Sequence, residues 1–329
     1  MRVVNEIGRN GFAVAVAWPD FMGKQAGSWY DPLMRFLGLN RNFHYKVGHA
    51  ALVLVDQNGR CFYFDCGRYE APFQKGRIRD VTTDCGLHIE TIAKVSRKRI
   101  ENIRELLTEI QLNDTCKGFG VLKAAYCKVN FESAYSAVKR IQAKGIIPFG
   151  PFIRPGTNCC RFVKNAIAMG SPEFGYRWKL KLLFPLLPKP LTLINLLSEQ
   201  IHVPERETLP EYRELAPMYR SNFDTRKYYN HNNVNKVIRQ PRRPLNVPAD
   251  SQWVGGEMSG SWFHLSILDD RYEITRYSEN GSKKCSGFFE HCSESLFEIE
   301  KPFSFGFLSH CSSSLVIQDD KIFEFKRIT

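Results

Sequence analysis

Apolar residues run unbroken from Phe12 to Trp18 and again from Ala50 to Val55, the end of "VGHAALVLV" at residues 47–55, and both stretches read as buried strands. The second meets "DQNG", which fits a type I turn on Gln57 and Asn58 with Gly59 left-handed, and "RCFYFDCGR" returns as its hairpin partner. The period then changes. Ile100, Ile103, Leu106, Leu107 and Ile110 recur at helical spacing over a charged face, which predicts a helix through "RKRIENIRELLTEIQL" behind Ser96. Asn130 caps a second helix, "FESAYSAVKRIQAKG", that stops at Gly145. Thr157 or Asn158 caps a third, "CCRFVKNAIAM", closed by Gly170.

Residues 176–198 are apolar but interrupted by Pro185, Pro188 and Pro190, which excludes one continuous helix. They read as a hydrophobic connector or lid packed on the domain. Basic residues beside Trp178 and the leucines also suit an anionic membrane surface. From roughly 200 to 250 the chain is rich in Pro, Asn and Arg, the composition of a linker or extended arm. Residues 251–329 turn to short alternating strands: "SWFHLSIL", "RYEITRYS", "KKCSGFFEH", "LFEIEK", "FSFGFL", "SLVIQ" and "KIFEFKRI". A small antiparallel meander or barrel follows, and Gly260-Ser261-Trp262 resembles the G-x-W start of lipocalin-like barrels. The expected division is residues 1–175, a connector over 176–250, and a β-domain over 251–329.

Composition narrows the functional classes. With 43% apolar residues and no low-complexity tract, 329 residues suit two folded domains. The net charge of +12 invites a nucleic-acid reading, but bases and acids are interleaved and no aromatic-basic recognition motif occurs. Ten cysteines lack framework spacing, and no C-x-x-C is present, so neither a disulfide scaffold nor a metal site is expected. Reduced, mostly buried thiols favour a reducing compartment. No run of about 18 apolar residues predicts a membrane span. A cytoplasmic location is expected, with peripheral membrane attachment through 176–198 as a further expectation.

The candidate chemistry lies in "GTNCCRFV". A thiol in the first turn of a helix faces unpaired backbone N–H groups and the positive end of the helix dipole, which favours the thiolate; the same amides can hold an oxyanion. Such a thiol needs a base, and His49, preceded by Gly48 on a central-looking strand, is the histidine placed to serve. If Gln57, Asn58 and Gly59 form the hairpin loop, Asp65 lies opposite Ala51, on the face of His49 and one step along, where it can fix the imidazole tautomer. A two-residue loop on Asn58-Gly59 would turn Asp65 to the other face. His44, His88, His264 and His310 read as structural or surface groups.

"VGHAALVLVD", the hairpin and the later "NCCRFV" resemble the circularly permuted branch of the NlpC-type, papain-like cysteine hydrolases, in which the histidine strand precedes the cysteine helix. The resemblance spans roughly residues 12–170. It implies an α+β fold, a papain-like (permuted NlpC-type) antiparallel sheet with packed helices, and says nothing of the small all-β domain that follows. Its pattern places apolar residues three and four positions after the nucleophile. From Cys159 these are Phe162 and Val163; from Cys160 they would be Val163 and Lys164. Cys159 is therefore the expected nucleophile, with Cys160 a neighbour or redox modulator. Asn158, Cys160, Tyr30 and Arg68 are candidates for the cleft or oxyanion site, as is Trp29 for the cleft.

The resemblance implies a thiol hydrolase or acyltransferase that needs no cofactor and acts on a small amide, peptide, ester, thioester or lipid substrate. The alternative is a lipid- or partner-binding protein on the same scaffold.

Overall fold

A strand that is apolar on both faces must be covered on both. In a computed structural model, which describes residues 8–209 and 240–328 apart from 25–27, 29, 39, 42–43, 117, 154, 258 and 293–295, the two apolar runs receive that cover at the centre of a sheet. Besides a short helix at Asp31–Phe36 and a small three-stranded sheet between Met22 and Lys46, the elements of this part that frame the site are β1 (Gly11–Trp18), β2 (His49–Val55), β3 (Cys61–Gly67), β4 (Lys75–Arg79), α1 (Ile103–Leu112), β5 (Leu122–Val129), α2 (Phe131–Gln142), β6 (Ile147–Pro148), α3 (Cys159–Met169), α4 (Phe174–Leu182), α5 (Pro190–Asn195) and β7 (Ile201–Val203). The sheet is antiparallel in the order β7-β5-β1-β2-β3-β4-β6, and all residues of β1 and β2 are buried. Trp18 stands opposite His49.

The two faces of this sheet differ in size. One is lined by Ala13, Ala15, Ala17, Ala50 and Ala125, whose small side chains let helices sit close. Val138 of α2, Phe162, Val163 and Ile167 of α3, and Leu193 and Ile194 of α5 pack there. The other carries Phe12, Val14, Val16, Trp18, Val53 and Tyr63 under Leu106, Leu107 and Ile110 of α1. Asn158 and Asn130 cap α3 and α2, their side chains accepting from the N–H groups of Arg161 and Ser133. The β2–β3 loop is the three-residue form: Asp56 N–H donates to the Arg60 carbonyl, Gly59 has φ of 81°, and Ala51 faces Asp65.

Several elements depart from the sequence pattern. The helix expected from residue 97 begins at Ile103. Before it the chain reverses, because Ser96 bonds Arg99 through both backbone and hydroxyl and Val95 bridges Ile100. Within the stretch read as an extended arm, β7 extends the sheet as an edge strand beside β5, while α5 covers the alanine face, as a connector packed on the domain would. Much of the extended arm placed at 200–250 lies outside the described residues.

The second sheet comprises β8 (Gln252–Val254), β9 (Ser261–Leu268), β10 (Arg271–Ser278), β11 (Lys283–His291), β12 (Ser304–Phe305), β13 (Ser313–Gln318) and β14 (Lys321–Arg327), in the antiparallel order β8-β9-β10-β11-β14-β13-β12. It is a nearly closed, barrel-like all-β domain. The Gln252 side chain spans the seam, donating to the Phe303 carbonyl and accepting from Phe305 N–H. Phe263, Phe289, Phe297, Phe323 and Phe325 fill the interior. "LFEIEK" is not a strand, since the Gln318 amide bonds both the N–H and the carbonyl of Glu298 and leaves Phe297 free to plug the barrel.

Charge joins the two domains. Arg276 of β10 donates to Glu70 at 2.9 Å and Asp84 at 2.7 Å, while Arg77 donates to the same two carboxylates at 2.7 and 2.8 Å. All four are buried. Burial alone would raise both acids, but Arg276 and Arg77 hold Glu70 below its usual range and Asp84 well below it. Their stabilisation is therefore present above the unfolded carboxylate pKa and is lost as pH falls through the folded values. Among the described residues no helix is long and apolar enough to cross a membrane.

Removing one partner of a buried, balanced cluster leaves a charge uncompensated. Arg276→Met should lower unfolding free energy in urea by about 3–5 kcal/mol and raise the pH of acid unfolding. A change within about 0.5 kcal/mol, the range of ordinary surface substitutions, would show that the cluster does not join the domains.

Candidate active site

His49 opens β2 and Cys159 opens α3, so the chemistry gathers where two elements start. The alanine face lets α3 approach the sheet, and its N-terminus reaches the beginning of β2, where the Cys159 thiol comes under the influence of the His49 ring and the Ala50 amide. Gly48, at φ of 67°, carries the chain into β2 in a conformation that favours glycine; a Cβ there would lie 2.8 Å from Pro190 of α5.

Around His49 the enclosure is tight. Its ring is buried, stacked on Trp18 at 5.9 Å and flanked by Phe21 at 5.7 Å. Nε2 lies 3.3 Å from the Tyr69 hydroxyl and 3.5 Å from Asp65 Oδ2, which leaves Nδ1 for the sulfur. Tyr69 donates its own proton to Asp65 Oδ2 at 3.1 Å, so its oxygen can accept from the imidazole. Asp65 thus reaches the histidine through a phenol as well as across a longer direct approach. Arg79 grips Asp65 at 2.9 and 2.6 Å, and its guanidinium lies 3.7 Å over the Tyr69 ring.

These contacts set the protonation states. Burial alone would lower His49, but the bonds that its protonated ring donates to Asp65 and Cys159, and the charges of both, raise it to about 9. Burial would likewise raise Asp65, yet Arg79 and His49 bring it down to about 2. Cys159 is held well below the ordinary thiol range, first by the adjacent Cys160 thiol and then, against burial, by His49 and the Ala50 amide. Cys160 moves the opposite way, pushed well above it by the neighbouring Cys159 and by burial. The two sulfurs are 3.9 Å apart, but Cys160 points into the alanine-face core while Cys159 stays partly open. The geometry favours a Cys159 thiolate beside a His49 imidazolium.

The other candidates occupy different positions. The Asn158 side-chain oxygen is committed to the cap, so the oxyanion donors that α3 can offer are the backbone amides of its first turn. Arg68 is turned to the domain junction, ion-paired with Glu257 and over Phe149 at 5.7 Å. Tyr30 packs on Phe152 at 5.1 Å and beside Tyr45. Trp29 lies outside the described residues. Tyr69 and Arg79 escaped the sequence reading. A faint signal existed for Tyr69: Gly67 stands two residues before it, and a Cβ there would meet the Tyr69 ring at 2.5 Å.

The barrel domain braces this arrangement. Tyr69 bridges Ser259, Glu70 N–H donates to the Ser259 carbonyl, and the Ser261 hydroxyl donates to Glu70. Glu70 is held at a φ of 36°, a cost that its two arginine partners offset.

Comparison with known proteins follows the domain division. Residues 13–174 match the family model described as type VI secretion system effector TseH-like, and residues 251–328 match that of the DUF6695 C-terminal domain. The crystal structure of the type VI secretion system effector TseH is similar at 17% identity and a TM-score of 0.41, over 61% of this chain and 96% of that one. No curated protein matches.

Site-resolved alkylation with iodoacetamide tests the ion pair. Labelling of Cys159 should stay level from about pH 6 to about pH 8.5, because the thiolate is already formed below the ordinary thiol pKa. In His49→Ala the rate should climb with pH. A native rate rising about tenfold per pH unit, as for an unperturbed thiol, would contradict the assignment.

Proposed function

We propose that this chain is a cysteine-dependent hydrolase or acyltransferase with a papain-like, permuted NlpC-type first domain. The observation that carries the proposal is the direct contact of a helix-start thiol with a buried imidazole whose other nitrogen faces a tyrosine and a carboxylate. Further support comes from the match over residues 13–174, which spans His49, Asp65, Tyr69 and Cys159. A type VI secretion effector role is the setting we propose for this chemistry.

The Cys159 thiolate attacks the carbonyl carbon of an amide, ester or thioester, forming a C–S bond as the carbonyl electrons move to oxygen. The first-turn amides of α3 stabilise that oxyanion. As the intermediate collapses, His49 gives its proton to the departing amine, alcohol or thiol, leaving an acyl-Cys159. Neutral His49 then takes a proton from water, or from an acceptor nucleophile, which attacks the thioester and releases the acyl product. Asp65 and Tyr69 orient the imidazole and stabilise its charged form. The imidazolium is the proton donor, so turnover declines as pH rises through about 9.

A lipid or lipid-borne substrate is favoured over a freely soluble peptide by the surface near the nucleophile helix. Phe174, Trp178, Leu182, Leu183, Leu186 and Leu187 are exposed along α4 and the turn after it. Lys179 and Lys181 lie on the same helix, and a groove lined by Arg161, Lys164, Phe184 and Leu186 runs beside α3. Apolar side chains among cations suit an anionic bilayer surface.

Two measurements follow. Cys159→Ala should abolish acyl-enzyme formation with an activated ester, whereas Cys160→Ala should keep it within about tenfold, the cost of a repacked neighbour; the reverse outcome would move the nucleophile to Cys160. The chain should co-sediment with phosphatidylserine-containing vesicles at low salt and be released at high salt, and Trp178→Glu with Leu182→Glu should prevent binding. Absence of low-salt binding would remove the membrane surface from the proposal.

A further inference from the structure

Cys85 follows the charged cluster of the first domain, Cys285 lies in β11, and Cys311 lies in the loop between β12 and β13. Their sulfurs lie within 4.8 Å of one another, although the residues are far apart in sequence. The backbone draws them together: Cys311 N–H donates to the Thr83 carbonyl at 3.0 Å, and Cys85 Sγ is 3.5 Å from the Lys284 carbonyl. Cys285 is the cross-strand partner of Arg276, beside a register shift at which Tyr277 pairs with Lys283 and Lys284 is the extra residue of β11.

We propose that Cys85, Cys285 and Cys311 bind a thiophilic divalent cation of the zinc class, which ties the first domain to the barrel. Three sulfurs around such an ion at about 2.3 Å sit about 3.8 Å apart, a contraction that small side-chain rotations supply. Cys311 is buried, Cys285 partly so, and Cys85 reaches solvent, which gives the ion an entry path and leaves its fourth position for water. Thiolate sulfur selects zinc-like ions over magnesium or calcium.

The surroundings suit a bound anionic centre. Three thiolates and a divalent cation carry one net negative charge. Arg276 reaches Cys311 Sγ at 3.9 Å, Arg327 acts on Cys85 through its charge, and Lys284 is beside it. Asp84, the residue before Cys85, is already held by Arg77 and Arg276. An ion here would thus fix the junction that braces Tyr69, independently of what the catalytic thiol acts on.

The test uses the full chain, fully reduced and then dialysed against Zn2+, with bound metal measured by inductively coupled plasma mass spectrometry. About one equivalent per chain should remain. Replacement by Co2+ should give a thiolate-to-cobalt charge-transfer band and the strong visible absorption of a tetrahedral site. Cys85→Ser, at a position open to solvent and therefore tolerant of change, should lose both metal and band, as should Cys311→Ser. Cys159→Ser should keep them. Failure of the reduced chain to retain Zn2+, or a band lost with Cys159→Ser and kept in Cys85→Ser, would overturn the proposal. So would a disulfide between two of the three that persists as the only stable state after metal loading.

Discussion

Charge removed from water has to be answered by charge, and most of this structure follows from how its interior meets that requirement. Asp65 is balanced by Arg79, while Glu70 and Asp84 are balanced by Arg77 and Arg276. The first pair lies behind the histidine and the second set lies between the domains, with Tyr69 joining them. Its ring lies against Arg79, its hydroxyl lies between Asp65 and His49, and the next residue is Glu70. The imidazole is thereby referenced, through two short steps, to a barrel that contributes no atom to the thiol. A separate binding module would not be expected to share a buried ion cluster with its neighbour, so we regard the β-domain as part of the support for the site.

Adjacent cysteines on one helix turn show how position outweighs residue type. Cys159 and Cys160 differ by one step, yet one faces an imidazole and an amide and the other faces a hydrocarbon core. The first environment favours negative charge and the second opposes it, so the first thiol is the one we propose as nucleophile. The alanine stripe beneath α3 is the quieter requirement: larger side chains on β1 would hold the helix off and open the gap between sulfur and ring.

Local signals were readable in the sequence wherever local physics decides. Glycine at a left-handed turn set the β2–β3 register and hence the face of Asp65. Asparagine at two helix starts marked the caps, including the one that leads into Cys159. The pattern misled where side chains replaced regular backbone bonding. Ser96 turns the chain where helical spacing had begun, and Gln318 takes the backbone bonds that would have made residues near Glu298 a strand. Tyr69, Arg79 and the triad of Cys85, Cys285 and Cys311 were beyond reach for another reason. Their meaning lies in partners brought near by topology, and no spacing rule spans Cys85 to Cys285.

Glu70 and Arg276 are separated by 206 positions along the chain. A ribosome releases the thiol, the imidazole and two carboxylates that share Arg77 alone long before it supplies the second arginine that completes their cluster, and contacts so remote in sequence form late. Until the barrel forms, Glu70 and Asp84 hold only one of their two arginine partners, so the brace behind Tyr69 is completed by a part of the chain made much later.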